Sequence, residues 1–218
     1  MNKIQIIVGH YGSGKTNISV NLAIELKKII NDNVSLVDLD IVNPYFRAAD
    51  NKELLEVNGI KTILPKYANT NVDIPTPPIE IKSVFDNAGY SVFDVGGDDD
   101  GAIVLSVYKN DIIKNSYDML FVYNSYRPLT ADPNDAAILM KRIEEVSGLK
   151  FSGIINNSNL GEETTSEIIC ASVEKSNLLS KLSGVKVLYT TVLDSIDTSK
   201  LPKELNIVKI KNITKKLF

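Results

Sequence analysis

Residues 9–16 read Gly9-His10-Tyr11-Gly12-Ser13-Gly14-Lys15-Thr16 and follow the apolar run Ile4-Gln5-Ile6-Ile7-Val8. From Thr16 onward the apolar residues adopt helical spacing. The stretch matches Gly-x-x-x-x-Gly-Lys-Thr, the phosphate-binding loop, in the strand–loop–helix setting that the motif requires. Its glycines keep side chains away from the phosphates. The loop N–H groups and the first helical turn point at a polyphosphate, where the helix dipole favours negative charge. Lys15 is expected to reach the β- and γ-phosphates, and the Thr16 hydroxyl to ligate Mg²⁺. The candidate nucleotide contacts are Gly9, Tyr11, Gly12, Ser13, Gly14, Lys15, Thr16 and Asn17.

The chain has 218 residues, 44% of them hydrophobic and 23% charged, with a formal net charge of −3. One α/β domain with ample core is expected. The slightly acidic balance argues against a nucleic-acid-coating surface. No apolar run approaches the ~20 residues that span a bilayer, so stable membrane insertion is not expected. The sequence enters a core strand directly after Met1-Asn2-Lys3, without a signal peptide, and a cytoplasmic protein is expected. Cys170 is the one cysteine and His10 the one histidine. That excludes disulfides, Cys/His zinc sites and cysteine-ligated iron–sulfur clusters within one chain. Cys170 lies in an apolar helical stretch and reads as a core residue.

Helical spacing over Lys15–Ile30 places Ile18, Leu22, Leu26 and Ile29 on one buried stripe. Strands are expected at 34–40, 60–64, 90–95, 117–124, 151–156, 185–192 and, at an edge, 207–210. Helices are expected at 51–58, from Thr76-Pro77 to 87, after Gly97 to 115, from Asp132-Pro133 to 146, and to 182 from a capping box at Thr164-x-x-Glu167. The proline-rich stretch 65–78 reads as a surface or partner-facing loop. Strand and helix alternate throughout. This predicts a three-layer, doubly wound, mostly parallel sheet with helices on both faces.

In such a sheet, ligands bind outside the carboxyl ends of the strands. Asp38 and Asp40 finish the second strand, Asp94 finishes the strand before Gly96-Gly97, and Asn156-Asn157 finish another. Asp94 fits an acidic residue that holds Mg²⁺ through water, since a hard cation takes oxygen ligands. Asp94-Val-Gly-Gly spells D-x-x-G, in which Gly97 can offer its N–H to a γ-phosphate and move when that phosphate leaves. Asp98-Asp99-Asp100 reads as a helix start offsetting the dipole. Asn156-Asn-Ser-Asn stands where GTP-binding proteins carry Asn-Lys-x-Asp. Asn159 lacks the charge of that guanine-reading acid, so adenine is favoured.

The loop, Val37-Asp38-Leu39-Asp40 and Asp94-Val-Gly-Gly together resemble the MinD/ParA class of ATPases, which includes the nitrogenase iron protein and relatives of cobyrinic-acid and dethiobiotin synthetases. The resemblance covers nearly the whole chain in element order. It implies a Mg²⁺-dependent ATP/ADP site in which Asp40 orients the attacking water, Asp38 positions the switch and Lys15, and Asn156 reads the base edge. It also implies ATP-promoted homodimerisation and a protein partner. The class carries a second lysine after the first glycine of its loop; here that position is His10. Arg47 and Arg127 are alternative cations, each reading otherwise as a surface or loop-anchoring arginine.

The expected function is a slow ATPase acting as a nucleotide-dependent switch. The rivals are a small-molecule kinase or ATP-dependent ligase, with Tyr45, Phe46 and Arg47 in an acceptor pocket, and a nucleotide-gated adaptor with negligible turnover. The stripe Ile210, Ile213 and Leu217 among lysines reads as a docked terminal helix.

Overall fold

A computed structural model describes residues 2–30, 32–40, 51–64, 80–86 and 89–213. Eight strands form one sheet: β1 (Ile4–Val8), β2 (Val34–Leu39), β3 (Ile60–Ile63), β4 (Tyr90–Val95), β5 (Tyr117–Tyr123), β6 (Gly153–Asn156), β7 (Val187–Leu193) and β8 (Ile207–Ile210). Their order is β3-β2-β4-β1-β5-β6-β7-β8, and every recorded pairing is parallel. Between them run α1 (Lys15–Ile29), α2 (Lys52–Val57), α3 (Ile81–Asp86), α4 (Asp98–Val107), α5 (Lys109–Lys114), α6 (Pro133–Ser147) and α7 (Ser166–Ser183). The doubly wound α/β architecture expected from the alternation is present.

Strands buried on both faces need apolar residues on both, and the centre of the sheet has them. Ile6, Val8, Phe93, Phe121 and Tyr123 pack on one face with α4 and α6 residues such as Leu105 and Met140. Ile7, Leu36, Val92, Val122 and Ile155 pack on the other with Ile18, Ala23 and Leu26 of α1. All five β1 residues are buried. β1 is flanked by β4 and β5, so the loop that leaves its carboxyl end stands over the middle of the sheet.

Several local expectations shift. Ile29 is 79% exposed, so the buried stripe of α1 ends at Leu26. The helix expected to run to residue 115 divides at Tyr108 into α4 and α5. The cap of α7 is Thr165, whose side chain accepts from Ile168 N, one residue later than the capping box suggests. Thr164 Oγ1 instead accepts from Leu160 N at 2.9 Å and donates to Gly161 O at 2.6 Å, closing the preceding turn. Ile210 ends β8, and residues 211–213 form no helix. They lie along α1, where Asn21 Oδ1 accepts from Lys211 N (3.0 Å) and Asn17 Oδ1 from Ile213 N (2.8 Å). Leu217, the proline-rich stretch and the Asn43–Arg47 segment lie outside the described residues.

Candidate functional site

Gly14 caps α1 with φ +93°, and Gly12 has φ +74°. Both are left-handed conformations that a side chain would strain. A Cβ at Gly9 would stand 2.5 Å from Val122 O, so only glycine lets the loop leave β1 against β5. The loop is closed by Ser13 N donating to His10 O at 3.1 Å. Lys15 is buried and its Nζ donates to His10 O at 3.3 Å, folding the ammonium back over the loop.

A cavity of about 440 Å³ opens beside this loop. Tyr11, Gly12, Gly14, Lys15, Thr16 and Asn17 line one end of it with Asp40 and Arg127. Asn157, Ser158, Asn159, Gly161, Thr164 and Thr191 continue the wall. Ile169, Val192, Leu193, Ile196, Ile210 and Asn212 complete the described lining. The loop residues suit phosphates, and the apolar residues with their polar neighbours suit a flat ring with polar edges.

The acidic residues gather on the β2/β4 side of the loop. Asp38 and Asp94 are nearly wholly buried, and Asp38 Oδ1 accepts from Asp40 N at 2.9 Å. Asp40 is half-buried and turns toward the glycine turn; a Cβ at Gly96 would stand 3.0 Å from Asp40 Oδ1. Gly97 packs on the loop itself, where an added Cβ would meet Tyr11 N at 3.0 Å and Gly9 O at 3.3 Å. Asp94 Oδ1 accepts from Ser19 Oγ at 3.2 Å, while its Oδ2 is buried with no hydrogen-bond partner. Its pKa is raised to about 6 by burial first, with the Thr16 hydroxyl and Lys15 opposing, Asp40 adding to the rise and Ser19 opposing. A buried carboxylate oxygen without a donor, beside Thr16, fits a Mg²⁺ and its waters. Among the described residues no cluster of three His, Cys, Asp or Glu side chains could hold a metal by itself.

Several candidate contacts lie off the cavity wall. Asn156 is wholly buried: its Nδ2 donates to Ser172 Oγ at 2.9 Å, and its Oδ1 accepts from Ser158 Oγ at 2.7 Å. That amide organises the β6 loop and does not line the cavity. Ser13 is also buried beneath the loop, and its Oγ has no partner. Gly9, Gly97 and Asp38 likewise do not line the cavity.

Asn157 carries a role that the sequence did not suggest. Its Nδ2 donates to Ser13 O at 2.7 Å, its Oδ1 accepts from Thr191 Oγ1 at 2.5 Å, and its backbone N donates to Tyr123 O at 2.8 Å. One buried amide thus ties the phosphate loop to β5 and β7. The available signal was Thr190-Thr191, a polar pair inside an apolar strand. Ser19 and Asn124 also went unmarked. Ser19 faces Asp94 one turn beyond Thr16, and Asn124 Oδ1 accepts from Tyr126 N at 3.0 Å. Cys170 is half-buried beside Ile169, Val192 and Leu201.

No protein-family model matches the sequence, and no curated protein shows significant similarity to it. Solved structures do. FtsY of Thermotoga maritima, a cell division protein, superposes with a TM-score of 0.56 at 18% identity, over 88% of this chain and 62% of its own. FlhF complexed with GTP and Mg²⁺ gives 0.55 at 17% identity, over 88% and 66%. A nucleotide-binding protein from Archaeoglobus fulgidus in complex with ADP gives 0.51 at 16% identity, over 88% and 84%. The chain thus spans just under two thirds of the length of the FtsY and FlhF chains. No helix among the described residues is long and apolar enough to cross a membrane. At these identities the likeness is one of fold: the chain has the eight-stranded parallel α/β architecture of P-loop nucleotide-binding proteins.

Proposed function

We propose that this protein is a Mg²⁺-dependent ATP-binding protein and a slow ATPase that works as a nucleotide-dependent switch. The observation that carries the reading is that Lys15 and Thr16 line one cavity at a left-handed glycine loop, while the Thr16 hydroxyl and the Lys15 charge act on the buried carboxylate of Asp94 behind them. In this reading the loop amides and Lys15 hold the phosphate tail, and Thr16 and Asp94 hold Mg²⁺, Asp94 through water. Bound there, Mg²⁺ would neutralise phosphate charge. Asp40 orients the attacking water, and Asp38 fixes Asp40 by accepting from its backbone N. Gly97, resting on the loop backbone, senses the γ-phosphate and moves when it leaves.

FlhF has been seen with GTP and the Archaeoglobus protein with ADP, so the base must be argued from this chain. Asp40 is the one carboxylate among the described residues lining the cavity, and it stands beside the phosphate loop in this reading. Guanine presents N–H donors that an acid accepts, whereas beyond the loop the described lining residues offer the neutral polar side chains of Asn157, Ser158, Asn159, Thr164, Thr191 and Asn212. That supports adenine. The output of the switch is ATP-promoted homodimerisation through the face bearing Tyr11, which is 55% exposed beside the cavity. Tyrosine is enriched at interface cores. Phosphate release from ATP, measured with Mg²⁺ and with EDTA, tests the reading. Slow Mg²⁺-dependent turnover is expected; binding of neither ATP nor ADP would overturn it.

A further inference from the structure

We propose that Arg127 clamps the α- and β-phosphates of the bound nucleotide, so that this one contact contributes equally to holding the diphosphate product and the triphosphate. This rests on the nucleotide-binding reading above. Arg127 Nε donates to Gly12 O at 2.8 Å, and a Cβ at Gly12 would stand 3.3 Å from that Nε. The guanidinium therefore lies flat against the phosphate loop, in space that glycine leaves. Lys15 and Arg127 are the two cations among the described residues lining the cavity.

The turn that presents the arginine is built from buried parts. Asn124 is wholly buried; its carbonyl accepts from Arg127 N at 3.2 Å and from Thr130 Oγ1 at 2.8 Å. Thr130 N returns to Arg127 O at 3.0 Å. Tyr126 OH donates to Ile168 O at 2.8 Å, pinning the turn to α7. A guanidinium has five N–H donors in a rigid fork. The Nε bond is the one hydrogen bond recorded for this side chain among the described residues. The Nη groups thus remain for an anion, and paired oxygens on adjacent phosphates match the fork.

Sheet order decides which phosphates. Arg127 follows β5, on the opposite side of β1 from β4 and β2. Asp94, Asp40 and Gly97, the groups that attend a γ-phosphate in this reading, all belong to the β4/β2 side. The arginine therefore faces the part of the tail shared by ATP and ADP.

Equilibrium binding of AMP, ADP and ATP with Mg²⁺ to wild type, Arg127→Ala and Arg127→Lys tests this, beside thermal melts without nucleotide. Arg127→Ala is expected to weaken ADP and ATP by the same factor, on the order of ten- to a hundredfold for a charged contact, and AMP by less. Higher salt should narrow the gap, and Arg127→Lys should recover part of it. If Arg127→Ala does not fold, Arg127→Lys carries the test with the same equal weakening of ADP and ATP. Unchanged ADP affinity in a folded variant overturns the clamp, as does a loss confined to ATP. If wild type binds none of the three nucleotides, the nucleotide reading itself falls.

Discussion

Asp38 and Asp94 are direct partners in register across the parallel β2–β4 ladder, and both are almost wholly buried. Two carboxylates side by side beneath a glycine loop are unfavourable for a fold by themselves. Each is accommodated differently. Asp38 accepts from Asp40 N, while Asp94 takes hydroxyl donors from α1 yet keeps one oxygen without a partner. That arrangement suits a charge completed by a ligand.

The nucleotide-free protein should therefore gain stability when Asp94 loses its charge. Its carboxyl titrates near 6 in the folded chain, raised from 3.8. Between those values the folded state holds a proton that the unfolded chain has released, so stability falls as pH rises through that window. Above it the buried charge costs on the order of 3 kcal/mol. Asp94→Asn should raise Tm at about pH 7.5 by several degrees and change it little near pH 4, while losing the Mg²⁺ dependence of ATP affinity. An unchanged or lower Tm at the higher pH contradicts the assignment.

Asp40→Asn should keep ATP binding and lower kcat by about 10²–10⁴, the span of a positioned proton acceptor. Single-turnover hydrolysis with saturating Mg²⁺-ATP is the check. Unaltered turnover would remove Asp40 from the reaction.

The same variant, loaded with Mg²⁺-ATP, should sediment as a weak homodimer. A species that stays monomeric at tens of micromolar, roughly a 6–7 kcal/mol association, would leave a monomeric switch.

Asn157→Ala should loosen the phosphate loop. It removes the side-chain donor to Ser13 O and leaves Thr191 Oγ1 only Asn156 O at 3.3 Å, at a cost of about 1–3 kcal/mol in stability for buried groups. Nucleotide affinity should fall with it, and Mg²⁺-ATP should restore less of the lost Tm than in wild type. Chemical denaturation with and without nucleotide separates the two effects. An unchanged midpoint would show that the Asn157 bonds carry no weight.

How much of this was legible in the sequence follows from the range of each interaction. The loop, the strand-end acids and the alternation of elements are local patterns, and each stands where its neighbours in sequence put it. Contacts between distant segments were not legible. Asn157 reaching Ser13, Arg127 reaching Gly12 and Asn17 holding Ile213 join residues 144, 115 and 196 positions apart. Asn156 and Asn157 differ in fate because successive residues at a strand end face opposite ways. A one-residue shift also moved the α7 cap from Thr164 to Thr165, since two adjacent threonines offer the same chemistry and tertiary packing chooses between them.

Base preference has its own direct check. Competition of ATP and GTP against one labelled nucleotide should favour ATP, given that Asp40 is the one carboxylate among the described lining residues. Tighter GTP binding would place the acceptor of the guanine N–H groups outside the residues lining this cavity.

The central claim is that Lys15 and its loop hold a nucleotide polyphosphate. Titration calorimetry of wild type and Lys15→Ala with Mg²⁺-ATP addresses it most directly, with melts confirming that both are folded. The account predicts one site in the wild type and a loss of about a hundredfold or more in the variant, as charged phosphate contacts of 1.5–3 kcal/mol each disappear. Equal ATP affinity in the two proteins, or none in either, would contradict it.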